Sequence, residues 1–155
     1  TVSGISFSKD EAKVTIIGLP DKPGVSANIF GPLADSNINV DMIVQNISQD
    51  GKKANITFTL QQSELDKAVA VLEKIKSLNS FEGFKTDNKV AKVSVIGLGM
   101  RSQAGVAKKM FQVLGEKGIN IQVISTSEIK ISVLIDEKFT ELAVRSLHEV
   151  YGLNP

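Results

Sequence analysis

The feature that most constrains the fold is an internal repeat. The segment that begins at Val14 and the segment that begins at Val93 agree in glycine, apolar and asparagine residues, in the same order and at one constant spacing. Chance does not produce ordered agreement of this kind, so the chain is read as two copies of one small domain. The matched residues are Gly24, Val25, Phe30, Leu33, Ile38 and Asn39 in the first copy, and Gly105, Val106, Phe111, Leu114, Ile119 and Asn120 in the second.

Residue periodicity predicts the elements of the first copy. Strands are indicated where β-branched and apolar residues alternate, and helices where apolar residues recur every three or four positions. The prediction is a strand over 13–19, a helix over 24–36, strands over 38–48 and 54–60, a helix over 63–78 and a short strand over 81–87. The order βαββαβ is the ferredoxin-like split βαβ motif, an α+β fold.

The second copy predicts the same order but lacks its last strand. Its elements are a strand over 92–98, a helix over 105–117, strands over 119–125 and 128–135, and a helix over 137–150. A surplus strand precedes the first copy, and a missing outer strand would leave a sheet edge exposed. We therefore predict that residues 1–8 complete the second sheet. The first domain, residues 9–88, would be inserted within the second, residues 1–8 plus 89–155.

Composition excludes several classes of protein. The 155 residues carry 18 basic and 17 acidic side chains, a net charge of +1, so nothing steers the chain to nucleic acid or to an anionic membrane. There is no cysteine, which excludes disulfides and thiolate sites and fits a cytoplasmic protein. No apolar run approaches the roughly 20 residues of a membrane-spanning helix, and no signal peptide is visible. The chain begins at Thr1, so either the initiator was removed or this is a piece of a longer protein.

Residues for catalysis are scarce. The single histidine, His148, reads as an ordinary helical residue, and no catalytic triad or metal-ligand spacing can be built around it. The "GLGM" segment at 97–100 begins like a dinucleotide-binding loop but lacks the third glycine and a ribose-binding acid. The chain alone is therefore predicted to have no catalytic activity, no metal and no cofactor.

The loop that enters the first helix is the best candidate for a binding site. Pro23 restrains the backbone, and Gly24 has no side chain to block a ligand. The N–H groups of residues 25–27 open the helix, where they and the helix dipole favour a carboxylate. Asp41, on the following strand, can pair with an ammonium group. Together these groups suit an α-amino acid, although an ordinary Pro-Gly turn with a surface aspartate has the same pattern. Gln122 replaces Asp41 in the second copy, so the two sites would differ.

At this level of detail the two copies resemble a known family. The stretch "GLPDKPGVSANIFGPLADSNINVDMIVQNIS" with "ANITFTL" is similar to the first ACT domain of the aspartokinase family. The stretch "KVSVIGLGMRSQAGVAKKMFQVLGEKGINIQVISTSEIKISVLI" with "AVRSLHEVYGL" is similar to the second. The resemblance covers essentially the whole chain. It implies the regulatory part of the enzyme, either a separate β subunit or the C-terminal part of the full polypeptide, without the catalytic domain that uses ATP and Mg²⁺.

The resemblance also implies a function and a site. Feedback inhibition of aspartate phosphorylation by threonine, lysine or both is expected, with effectors bound between ACT domains of a homodimer. Asp41 is expected to take the effector's ammonium group. The expected effector-binding residues of the first repeat are Asp21, Pro23, Gly24, Val25, Asn39, Asp41, Gln45, Asn46 and Ile47. Those of the second are Gly105, Asn120, Ile121, Gln122, Ser125, Thr126, Ser127 and Glu128, of which Ser125 and Ser127 can equally be explained as satisfying sheet edges.

Three other functions remain open from the sequence. The split βαβ fold also binds RNA, but this chain has neither the aromatic RNA-binding motif nor a basic excess. It can be an ACT module of another amino-acid enzyme, which would bind a different amino acid more tightly. It can also be a dimerisation scaffold, which would bind none.

Overall fold

The computed structural model describes residues 2–97 and 103–153, and only the backbone of Asn79. Its described part contains six strands and four helices, which confirms the predicted α+β class. The strands are β1 (Val2–Pro20), β2 (Asp41–Ile47), β3 (Lys53–Gln61), β4 (Gly83–Gly97), β5 (Val123–Thr126) and β6 (Lys130–Asp136). The helices are α1 (Val25–Asp35), α2 (Leu65–Asn79), α3 (Gln103–Glu116) and α4 (Thr140–Val150), with 3-10 turns at Gln62–Glu64 and Glu137–Phe139. No helix in this described part is long and apolar enough to cross a membrane.

The chain divides into two compact units. One is Asp10–Asn88, here called the inserted unit, and the other is Thr1–Lys9 with Lys89–Pro155, here called the split unit. The division falls inside β1 and β4, which are 19 and 15 residues long. The sequence predicted two short strands in each of these places. No proline or glycine stands between Ser6 and Val14 or between Phe84 and Val95, so no residue ends the extended backbone there.

In the inserted unit the strand order is β2-β3-β1-β4, and β3 is antiparallel to both of its neighbours. One face of this sheet carries Ile16, Ile56 and Phe58, which pack against α1 and α2 to form the core. The rings of Phe30 and Phe58 meet edge to face, with centroids 5.4 Å apart. The helices therefore cover one face of the sheet, and this fixes which strand residues can lie near a helix terminus.

In the split unit the strand order is β1-β4-β6-β5. Val93, Val133 and Leu147 are fully buried in its core, and Val2 and Ile5 from the first part of β1 pack against that core. The Ser3 hydroxyl donates to the carbonyl of Ile96 at 3.2 Å. The β1 segment and β4 are thereby joined by a side-chain hydrogen bond as well as by strand pairing.

Hydroxyl side chains line the sheet face that the helices do not cover. Thr15 and Thr57 lie opposite each other with their oxygens 3.1 Å apart, and the equivalent pair in the split unit, Ser94 and Ser132, is at 2.6 Å. Both repeats thus keep one hydroxyl pair between central strands. Thr59, two residues beyond Thr57, is fully buried, and its Oγ1 has no hydrogen-bond partner in the described structure.

Thr59→Val is therefore expected to leave the free energy of unfolding unchanged or to raise it by up to about 1–2 kcal/mol, because it removes an unsatisfied buried hydroxyl at constant shape. Urea denaturation measures the change. The matched control, Thr57→Val, leaves Thr15 without its partner and should cost about 1 kcal/mol. Equal destabilisation by both substitutions would show that the Thr59 hydroxyl is hydrogen-bonded.

Gly18 forms a bulge near the end of β1. The pairing of β1 with β3 shifts by one residue between Ile16 and Leu19, and Gly18 has a φ of 74°. Its N–H donates to Asn55 Oδ1 at 3.0 Å. The left-handed backbone at this position is strained for any residue with a Cβ atom.

Gly18→Ala should therefore destabilise the inserted unit by about 1–2 kcal/mol, and the new Cβ would also displace the Glu82 side chain. Gly4→Ala is the control, since Gly4 lies in the same strand with open space around it and no positive φ. We expect Gly4→Ala to be neutral or slightly stabilising. Thermal unfolding of both variants tests the difference, and an equal effect would contradict the strain at Gly18.

Candidate functional site

The loop before α1 has a defined turn. The N–H of Asp21 donates to the carbonyl of Lys52 at 3.0 Å, and the N–H of Val25 closes the turn on Lys22 at 3.4 Å. Gly24 has a φ of 89°, and a Cβ there would meet no described atom within 4 Å. The space beside the backbone at Gly24 is therefore open.

The start of α1 presents two N–H groups for an anion. The first N–H of the helix to donate into the preceding turn is that of Asn28, to Gly24 at 3.3 Å. The N–H groups of Ser26 and Ala27 precede it and have no acceptor within the helix. The sequence predicted three such groups, 25–27, but Val25 is engaged in the turn. Gly24 caps α1 without a side-chain hydrogen bond, so no side chain of the cap competes with a ligand.

Strand register shows which residues share this end of the inserted unit. β1 and β2 are both antiparallel to β3, so they run in the same direction. Ala54 lies opposite Leu19 on one side and Ile47 on the other, which puts the ends of β1 and β2 at the same end of the sheet, on either side of β3. Gln45 lies opposite Ile56, so its side chain is on the helix-covered face. Gln45 and Ile47 are therefore at the same end and on the same face as the start of α1.

Asp41 lies elsewhere. It begins β2, so it is about 20 Å from the loop end of that strand at ~3.3 Å per residue. It is opposite Thr59, on the face away from the helices. The α-ammonium and α-carboxylate of an amino acid share one carbon atom, so one molecule cannot contact both Asp41 and the start of α1 within this unit. The described structure therefore does not bring Asp41 and the start of α1 together within this unit, and the role expected for Asp41 stays a prediction.

A β-bulge explains this placement. Between Asp41 and Val44, β2 advances three residues while β3 advances only two, from Thr59 to Thr57. Met42 has a φ of 38° inside the bulge. Strict alternation would have put Asp41 on the same face as Gln45. The extra residue moves Asp41 to the opposite face.

The remaining predicted residues of the first repeat divide in the same way. Asn39 precedes β2 and lies with Asp41, while Asn46 is near the loop but opposite Asn55 on the other face. Apart from Val25, which packs partly against the core, the loop and strand-end residues are exposed. The structure places Gln45 and Ile47 at the same end of the inserted unit as the loop residues Asp21, Pro23, Gly24 and Val25.

The split unit repeats this arrangement with different groups. α3 begins at Gln103, two residues before Gly105, and the Gln103 amide nitrogen donates to the carbonyl of Ser127. The turn after β5 is closed by the N–H of Ser127, which donates to Lys130 at 2.8 Å. Thr126 lies opposite Ile131 on the helix-covered face. The start of α3, Thr126 and Ser127 thus share one end of this unit.

Four other predicted residues of the second repeat lie apart from that end or off that face, and a fifth, Glu128, lies in the turn at that end. Asn120, Ile121 and Gln122 precede β5, and the Gln122 N–H donates to Leu134 at 2.8 Å. Ser125 is opposite Ser132, in the hydroxyl row on the uncovered face. Glu128 is exposed in the β5–β6 turn. The "GLGM" segment after Gly97 lies outside the described residues.

The hydrogen bond from the Gln103 side chain to the carbonyl of Ser127 was not predicted from the sequence. The repeat placed the helix start at Gly105 by analogy with Gly24, but the helix begins earlier. The polar side chain of Gln103, two residues before Gly105, could have indicated this bond, because side chains at helix starts often bond to nearby backbone groups. Among the described residues, no group of three or more His, Asp and Glu side chains is placed to hold a metal ion.

Comparison with known proteins agrees with this architecture. The ACT-domain family model matches residues 14–75 and 93–151. An aspartate kinase of Pseudomonas fluorescens is 52% identical over 99% of this chain, and the match spans 37% of that relative. The chain therefore spans little more than a third of the length of such relatives.

Two solved structures are similar over the full length. A chain in the crystal structure of aspartokinase alpha and beta subunits has a TM-score of 0.92 and 47% identity, covering 99% of this chain and 100% of that one. The ligand-free regulatory subunit of aspartate kinase from Thermus thermophilus has a TM-score of 0.90 and 35% identity, covering 97% and 99%. The chain therefore belongs to the ACT-domain family, as a tandem-ACT regulatory region of aspartate kinase.

Proposed function

We propose that this chain binds an end-product amino acid, threonine or lysine or both, and thereby inhibits the phosphorylation of aspartate by its kinase. The observation that carries this proposal is the open end of the inserted unit. There the Ser26 and Ala27 N–H groups of α1 lie at the same end of the sheet as Asp21 and Gln45. A cationic group and an anionic group of one small molecule have partners at this end.

The proposed ligand lies with its carboxylate at the start of α1. The N–H groups and the dipole of the helix stabilise a negative charge there. Asp21 supplies the counter-charge for the α-ammonium group, in place of Asp41, because Asp21 is at the correct end of the sheet. The Gln45 amide both donates and accepts hydrogen bonds, so it suits a threonine hydroxyl as well as an ammonium group.

Homodimerisation is supported by the two outer strands. β2 is the edge of the inserted unit, and its Ile43 and Ile47 are 53% and 57% exposed. β5 is the edge of the split unit and exposes Ile124. Apolar edge strands pair readily with another chain. Since the proposed site abuts the end of β2, a partner chain paired there would cover the ligand.

The two repeats are proposed to have different roles in binding. The split unit has Thr126 where the inserted unit has Gln45, and Gln122 in place of Asp41. The Gln103 side chain already bonds at the start of α3. We assign the main effector site to the inserted unit. Ser125 to Glu128 would contribute from the partner's split unit, across the dimer.

Inhibition then follows from differential affinity. An amino acid that binds better to the closed dimer shifts the population toward it. A coupling of about 1–3 kcal/mol is enough to inhibit the kinase several-fold. We propose that ATP and Mg²⁺ bind only the catalytic part of the enzyme, and that this regulatory chain lies with that part in the cytoplasm.

Calorimetric titration with threonine, then with lysine, each with and without the other, tests this function. Saturable binding of threonine alone would make the chain a threonine sensor, and binding of lysine or mutual enhancement would indicate lysine-responsive or concerted control. Tighter binding of another amino acid would assign the module to another enzyme's regulation. No binding of any amino acid would reject the proposal in favour of a dimerisation scaffold.

A further inference from the structure

A groove of about 720 Å³ lies in the split unit. One wall is a flank of α4 that carries Glu141, Val144, Arg145 and His148. These residues are spaced three or four apart, so they form one stripe on the helix. The other wall is the first part of β1, and Leu153 completes the lining. The remaining lining residues are Phe7, Lys9, Thr140 and Glu149.

The groove runs beside a strand edge. Pairing of β1 with β3 begins only at Glu11, so in the described chain residues 2–9 form the outer strand of the split unit's sheet, with β4 as their neighbour. Phe7 is 56% exposed on this strand. An edge strand facing a helix flank is the arrangement in which domains accept an extended peptide as an added strand.

The chemistry of the groove suits a polypeptide. Phe7, Val144 and Leu153 supply an apolar centre. Lys9 and Arg145 bring positive charge, and Glu141 and Glu149 bring negative charge. An apolar centre surrounded by a rim of positive and negative charges is typical of protein interfaces. A ligand that carries charge of only one sign would be attracted by one pair of these side chains and repelled by the other.

We infer that this groove docks an extended segment of the catalytic part of aspartate kinase, and that effector binding reaches the kinase through it. The length of related enzymes supports this occupant, because the match to the Pseudomonas fluorescens enzyme spans only 37% of that protein. Most of such an enzyme is therefore available to bind the regulatory region. The inference rests on the proposed function, since it names the surface through which the bound amino acid acts.

Hydrogen exchange tests the contact directly. The amides of residues 2–9 and of α4 should exchange at least about tenfold more slowly in the complete aspartate kinase than in this chain alone, as expected for a strand that gains a hydrogen-bonded neighbour. Equal exchange in the two preparations would overturn the inference. This comparison uses no effector, so it tests the contact in the groove even if the chain binds no amino acid.

Two groove variants test the coupling. Phe7→Ser and Val144→Glu should leave threonine and lysine affinity within about twofold, while the inhibition of the complete enzyme weakens at least about fivefold, the lower end of usual allosteric coupling. Phe7 is exposed, so Phe7→Ser should fold and still test the coupling even if Val144→Glu fails to fold. Leu78→Ser is the control, because Leu78 is 80% exposed on α2, outside the groove. Unchanged inhibition in Phe7→Ser, or dissociation of the isolated dimer by it, would refute the assigned occupant.

Discussion

Replacing Asp21 by asparagine is expected to weaken amino-acid binding by about 10- to 100-fold, measured by calorimetry. The substitution keeps the size of the side chain and removes its charge. A hydrogen bond between charged groups contributes about 1.5–3 kcal/mol, which corresponds to this change in dissociation constant. The loop backbone should be unaffected, because the N–H of Asp21, not its carboxylate, donates the hydrogen bond to the carbonyl of Lys52.

Asp41→Asn is the matched control for this experiment. Asp41 lies at the other end of β2 and opposite Thr59, on the other face of the sheet. Its substitution should change the affinity by less than about twofold, in keeping with additivity of distant sites. Loss of binding in Asp41→Asn with normal binding in Asp21→Asn would reverse the assignment of the ammonium group.

Phe58→Ala is expected to lower the free energy of unfolding of the inserted unit by about 3–5 kcal/mol, the usual cost of removing a buried aromatic ring. Phe58 is fully buried in the central strand β3, and its ring packs against Phe30. The sheet beneath it is paired on both sides, so the backbone cannot collapse into the cavity. Urea denaturation followed by circular dichroism measures the loss.

Phe7→Ala is the control for Phe58→Ala, because it makes the same change of side chain at an exposed position. Phe7 is 56% exposed, so removal of its ring should change the stability of the isolated chain by no more than about 0.5 kcal/mol. If the two substitutions were equally costly, Phe58 would not be the centre of the core described for the inserted unit.

The repeat allowed the order of elements to be predicted. Ile56, Phe58 and Leu60 alternate along β3, and all three are buried. Ile29 and Leu33, four residues apart, form the buried stripe of α1. These patterns depend only on the period of a strand or a helix, which a sequence displays directly. The same reasoning could not show that β1 and β4 each continue past a unit boundary, since pairing partners decide where an extended chain stops.

The candidate site was predicted only in part. The loop from Asp21 to Gly24 and the start of α1 are where the Pro-Gly pattern indicated. The position of Asp41 depended on the bulge at Met42, a residue whose type does not favour a positive φ. One added residue reverses the facing of side chains on either side of it. Local sequence does not reveal such a bulge, because tertiary packing overrides the backbone preference of Met42.

The most direct test of the account is a map of backbone amide NMR shifts during titration with threonine or lysine. We expect the largest changes at Ser26 and Ala27 in α1, with further changes from Gln45 to Ile47. The hydroxyl row at Thr57 and Thr59 should change little. Changes that cluster at Asp41 and Thr59 and leave Ser26 and Ala27 unaffected would contradict an effector site at the start of α1.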